Sequence, residues 1–126
     1  MLKKALPLLL APLFLAGCST TFTNMTPKQQ TRDPNNLYPV GVALATRQQT
    51  LRWDSIQPYV VVGAESFPLR PTPLMTNRWE GLISMPTGTN FVQYRYKFDF
   101  KYNAFGSPPK ADSAFSPKYT LRVVGK

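Results

Sequence analysis

From residue 37 onward, apolar and polar residues alternate with a period of two, in short runs cut by proline and glycine. Tyr38–Thr46 places Tyr38, Val40, Val42 and Leu44 on one face. Gln49–Asp54 sets Leu51 in phase with Trp53, which predicts a core position for Trp53. Tyr59–Val62 is a β-branched run, and Ser66–Arg70 reads as an edge strand limited by Pro68. Arg78–Met85 keeps Trp79, Gly81, Ile83 and Met85 in phase. The longest signal runs from Phe91 to Tyr102. Val92, Tyr94, Tyr96, Phe98, Phe100 and Tyr102 fall on one face; Gln93, Arg95, Lys97, Asp99 and Lys101 fall on the other. Such strict alternation predicts a half-buried antiparallel strand. Asn103–Pro117, with Gly106, Pro108, Pro109 and Pro117, reads as an irregular loop, and Lys118–Val124 as a closing strand. No segment carries the periodicity of a helix longer than a turn.

Six to eight short strands with turn signals between them predict an all-β sandwich or barrel. The strand order favours the sandwich. Pro86-Thr87-Gly88 leads into a long strand bearing Tyr94, and a last strand follows a loop. This resembles the penultimate strand and tyrosine corner of immunoglobulin-like domains, in their disulfide-free form. The expectation is one antiparallel immunoglobulin-like β-sandwich of about seven strands over residues 37–126, with a small barrel as the alternative.

The N-terminus follows a different logic. Lys3 and Lys4 precede an uncharged run from Ala5 to Ala16. A basic start, an apolar stretch of about a dozen residues and small residues at its end make a secretory signal. The run is too short to span a bilayer, which takes about 20 residues. Leu15-Ala16-Gly17-Cys18 resembles the lipobox of bacterial lipoproteins. The resemblance implies cleavage after residue 17, diacylglyceryl on the Cys18 thiol and acylation of the new amine by a fatty acid such as palmitate. Two or three acyl chains anchor a protein stably. Ser19 after the cysteine implies the outer membrane of a Gram-negative envelope, facing the periplasm or the surface. Residues 18–36 are polar and read as the acylated N-terminus and a tether, roughly 20–25 Å in root-mean-square span if flexible. A weak alternation around Phe22, closed by Pro27, leaves a first edge strand at residues 20–26 open.

Composition narrows the chemistry. The 126 residues hold 15 Lys+Arg against 6 Asp+Glu, 13 prolines, one cysteine and no histidine. Cleavage would leave 13 basic and 6 acidic side chains. Without histidine, the commonest general base and metal ligand is missing. One cysteine allows no internal disulfide. The acidic residues are scattered, with no pair in the context of a hydrolase. These counts argue against catalysis and imply neither a cofactor nor a metal site.

The basic excess sits partly on one strand face, as Arg95, Lys97 and Lys101. In a cell envelope the anionic partners at hand are phospholipid headgroups and acidic polymers or glycans rather than nucleic acid. Trp79, the turn at Pro86–Gly88 and Tyr94-Arg95-Tyr96-Lys97-Phe98 are also weakly similar to glycogen-binding modules of the early-set immunoglobulin type. That resemblance implies an exposed Trp79 stacking on sugar beside Lys97. The expected ligand surface is therefore Trp79, Arg95, Lys97 and Lys101. The expected role is a membrane-anchored, non-enzymatic envelope protein that binds or scaffolds another envelope component, with a carbohydrate-binding module as the alternative.

Overall fold

The computed structural model describes residues 20–47 and 49–125. Ten strands form among them: β1 (Thr20–Asn24), β2 (Gln29–Thr31), β3 (Tyr38–Thr46), β4 (Leu51–Val62), β5 (Glu65–Pro68), β6 (Arg70–Pro71), β7 (Arg78–Ile83), β8 (Phe91–Ala104), β9 (Ser107–Phe115) and β10 (Tyr119–Val124). They make two packed sheets. The first runs β1-β3-β7-β6; the second runs β2-β10-β8-β4-β5, with β9 also paired to β8. The chain is thus an all-β sandwich. Its order is that of the immunoglobulin type, in which the first, second, fifth and fourth strands face the third, sixth and seventh. Here β2, parallel to β10, and β5 widen the second sheet.

The count exceeds the expected seven for local reasons. β9 and β10 follow one another along the same edge of β8, with Lys97 opposite Phe115 and Tyr94 opposite Tyr119. Ser116 interrupts them. Its backbone N–H donates to the Tyr96 carbonyl at 2.9 Å, and its Oγ accepts from the Tyr96 N–H at 2.8 Å. The segment expected to be an irregular loop is therefore mostly strand. Phe105 and Gly106, the latter at φ 73°, turn the chain tightly and bring β9 into register on β8. Pro108 and Pro109 suit an edge, where no partner needs their missing N–H. The runs at 49–54 and 59–62 join into the single strand β4. Its register on β8 shifts between Arg52 and Gln57, and Trp53 sits on the displaced stretch, 44% exposed, instead of in the core.

The expected tether is also corrected. Residues 20–24 pair along β3, from Thr20 opposite Thr46 to Asn24 opposite Val42, and residues 29–31 pair with β10. Alternation around Phe22 was enough to form an edge strand because Phe22 has a buried ring to meet.

That ring is Phe98. The core is made by the inward residues of β3 (Tyr38, Val40, Val42, Leu44), β7 (Trp79, Ile83), β8 (Val92, Tyr94, Tyr96, Phe98) and β10 (Leu121, Val123), with Val60 from β4. Phe98 meets Phe22 and Trp79 edge-on, each with ring centroids 5.2 Å apart. Gly81 is in phase with Trp79 and Ile83 yet brings no side chain. A Cβ there would lie 2.6 Å from Leu69 Cδ2. Leu69 fills that space where the chain crosses from β5 in one sheet to β6 in the other, and its N–H donates to the Pro58 carbonyl at 2.9 Å.

One end of the sandwich carries the start of β1, the β3–β4 connection, the β6–β7 turn and the β8–β9 hairpin. Thr20 lies opposite Thr46, Leu51 opposite Tyr102, and the Leu44 N–H donates to Asn77 O at 3.0 Å. The other end carries the β2–β3, β4–β5 and β7–β8 connections and the end of β10.

Candidate functional site

Among the described residues one buried polar cluster links the two sheets, and its chemistry is structural. The Tyr96 hydroxyl, on a fully buried side chain, donates toward Asn24 Oδ1 at 2.8 Å and Gly41 O at 2.9 Å. It also lies 3.0 Å from Thr26 Oγ1, and Asn24 Nδ2 donates to the Tyr94 hydroxyl at 2.8 Å. The Gly41 N–H completes the cluster by donating to Thr26 Oγ1 at 3.0 Å. Burial pushes the Tyr96 hydroxyl pKa far above its ordinary value. A neutral, saturated hydroxyl of this kind is a fastener rather than a reagent. It ties the end of β1 in one sheet to β8 in the other. Tyr94 therefore does not make a tyrosine corner, whose hydroxyl bonds backbone a few residues upstream. Its partner is Asn24, 70 residues away.

Of the four residues expected on a ligand surface, three come together. Arg95, Lys97 and Lys101 share the outer face of β8. Trp79 does not join them. It is only 7% exposed, with its ring against Phe98, so the sugar-stacking role implied for it has no exposed platform. The reason is register: Trp79 lies opposite Val42, whose side chain is fully buried. A tryptophan in phase with Ile83 belongs to the inner face whatever its neighbours resemble.

The basic face is less bare than the sequence implies. The Arg95 guanidinium carbon lies 4.4 Å from the centre of the Phe115 ring, and Lys97 Nζ lies 5.9 Å from it. Contacts of this kind contribute about 0.5–1 kcal/mol at exposed sites. Lys97 also pairs with Asp99 at 3.6 Å, and Ser113 Oγ donates to the same carboxylate at 2.7 Å. Lys97 and Lys101, with Asp99, Asp112, Ser55 and Gln57, border a depression of about 460 Å³ on this face. It offers donors and acceptors of both signs, suited to a polar partner and not to a purely anionic one. Lys101, Arg52 and Lys110 make no ion pair among the described residues.

The opposite sheet has a larger groove, of about 720 Å³, over Gly41 and between Met25, Pro39, Leu82 and the Arg70–Glu80 ion pair, 3.7 Å apart. Gly41 leaves the sheet surface open there. No group of three or more metal-ligating side chains occurs among the described residues.

The remaining unusual feature is at the end that carries the start of β1. Two large apolar side chains stand wholly in solvent, Leu74 and Phe105. Phe105 tips the β8–β9 hairpin. Leu74 follows Pro73 in a turn closed by the Met75 N–H donating to Thr72 O at 3.1 Å. Its φ is 65°, the left-handed position that such a turn normally fills with glycine. A leucine there costs about 1–2 kcal/mol and buries nothing in return. The alternation along the chain did not single out Leu74. The available signal was an apolar pair, Leu74-Met75, directly after the turn-forming Pro71-Thr72-Pro73.

Cys18 lies outside the described residues, two positions before Thr20. Compared with protein-family models, curated proteins and solved structures, the chain matches none.

Proposed function

We propose that this chain is a lipid-anchored envelope protein, held to a membrane through Cys18, whose sandwich binds or scaffolds another envelope component without catalysing a reaction. The observation that carries the reading is the run Leu15-Ala16-Gly17-Cys18 behind a basic, apolar leader, with the chain's single cysteine at the one position that can be acylated. The residues after it support the reading. They enter a folded domain within two positions, as a processed N-terminus attached to a domain would.

The surface offered to a partner is the outer face of β8 and β9, where Arg95 lies over Phe115 and Lys97, Asp99 and Lys101 border the polar depression. Mixed charge with exposed hydroxyls and amides fits a protein or a polar polymer. The test is made in the intact organism. Cys18→Ser should abolish incorporation of a labelled fatty acid and move the protein from the membrane to the soluble fraction. Crosslinking from position 97, on the outer face of β8 away from the Thr20 end, should trap one defined partner in the parent protein. Label retained by Cys18→Ser would overturn the anchor; recovery of uncrosslinked monomer alone would overturn the scaffold.

A further inference from the structure

We infer that the end of the sandwich bearing Leu74 and Phe105 lies directly on the phospholipid surface, with those two side chains in the headgroup–acyl boundary. The inference rests on the lipid-anchor reading of Cys18 and adds to it a fixed orientation and a second contact.

The first observation is reach. Thr20 is already paired with Thr46, so the chain from Cys18 to the fold is two residues long. Two extended residues span at most about 7 Å. A lipid on Cys18 would therefore hold the start of β1 within a headgroup's depth of the bilayer, and the end of the sandwich with it. The tether that would have allowed the domain to stand off is instead built into both sheets.

The second observation is what that end exposes. Phe105 and Leu74 are the two described large hydrophobic residues that are completely exposed, and both occupy loop tips at the Thr20 end. Trp53, on the displaced stretch of β4 near the same end, is 44% exposed. The opposite end has Leu37, Phe91 and Val124 exposed to a degree like that of Trp53, but no completely exposed large hydrophobic side chain among the described residues. Aromatic and aliphatic side chains on loop tips suit the interfacial layer, where an apolar body can leave water without crossing the bilayer.

The third observation is charge. Arg52, Lys101 and Lys110 stand behind the tips, with Arg52 opposite Lys101 and Lys110 opposite Tyr102. Without ion pairs of their own, they are placed to meet headgroup phosphates. A second protein seated on this end would have to displace the bilayer that the short reach brings there.

The test uses the full, processed protein reconstituted in vesicles of phosphatidylethanolamine and phosphatidylglycerol. With Cys18 acylated, Phe105→Cys and Phe91→Cys each introduce the sole free thiol for a bimane label, one at each end. Phe105 is completely exposed and Phe91 lies outside the buried core, so neither change opens a core cavity. Bromine-substituted lipid should quench the label at 105 at least threefold more than the label at 91, and the emission at 105 should shift to the blue. Adding Lys101→Glu and Lys110→Glu should reverse much of that shift. Equal quenching at the two positions would overturn the docking. The mass of the N-terminal peptide reads the anchor separately. An acylated Cys18 with an aqueous label at 105 sinks the docking alone, whereas an unmodified Cys18 sinks both.

Discussion

The two halves of β8 share one pattern and live in different surroundings. From Val92 to Phe98 every second residue is buried; from Phe100 to Tyr102 the same alternation continues, but the side chains are only partly buried. The first half faces β3 and β7, whose Tyr38, Val42 and Trp79 close over it. The second half begins with Phe100 against the edge of the core and continues as the middle of three strands, between the displaced stretch of β4 and the exposed β9. Alternation reports that a strand has two unlike faces. Whether the apolar face is covered depends on how far the opposite sheet extends.

The difference is sharpest in large truncations. Phe98→Ala removes a ring packed against Phe22 and Trp79 and should destabilise the fold by about 3–5 kcal/mol. Tyr102→Ala, on the same face four residues on, should cost less, about 1–2 kcal/mol, since Tyr102 is only partly buried. Urea unfolding of the two variants measures both. Equal losses would mean that the projecting half is packed as tightly as the core.

A smaller effect separates the polar fastener from the open face. Tyr96→Phe keeps the ring but leaves Asn24, Gly41 and Thr26 without their shared hydroxyl, which should cost about 1–3 kcal/mol. The same substitution has a pH signature. Burial holds the Tyr96 hydroxyl protonated in the folded state far above its ordinary value of 10.0. Above about pH 10 the unfolded chain loses that proton while the folded chain keeps it. Stability is therefore full below that pH and falls as the pH rises beyond it. Tyr119, also shifted upward by burial, contributes in the same sense. Tyr96→Phe should lower stability at pH 8 and make its decline between pH 10 and 11 shallower. A decline as steep as that of the parent would mean that Tyr96 is not the group responsible.

The inner face of the sandwich was readable because burial and period coincide there. Tyr38, Val40, Val42, Leu44, Ile83, Val92, Tyr94, Tyr96, Phe98, Leu121 and Val123 are all where their spacing puts them. Trp79 shows the same rule applied too timidly: its phase with Ile83 placed it inside, and a resemblance drew it outside. Trp53 shows the reverse, since a register shift cancels the period that made it look buried. β9 was not legible because an edge strand exposed on nearly every residue has no apolar period. Its pairing comes from the Phe105–Gly106 turn and from the length of β8. The candidate surface was half legible. The cations on β8 could be counted in sequence, but their engagement by Phe115 and Asp99 depends on a hairpin that brings residues 97 and 115 together.

The inferred membrane contact depends most on residues 20–26 belonging to the fold. Amide hydrogen exchange of the full protein tests this directly. The Met25 N–H donates to Gly41 O at 2.8 Å beside the buried Tyr96 cluster. It should exchange orders of magnitude more slowly than an unstructured chain, close to the amides of β3. Exchange of residues 20–26 at the rate of a free polar tether would contradict the docked orientation. It would release the sandwich from the short reach that places its loop tips on the lipid.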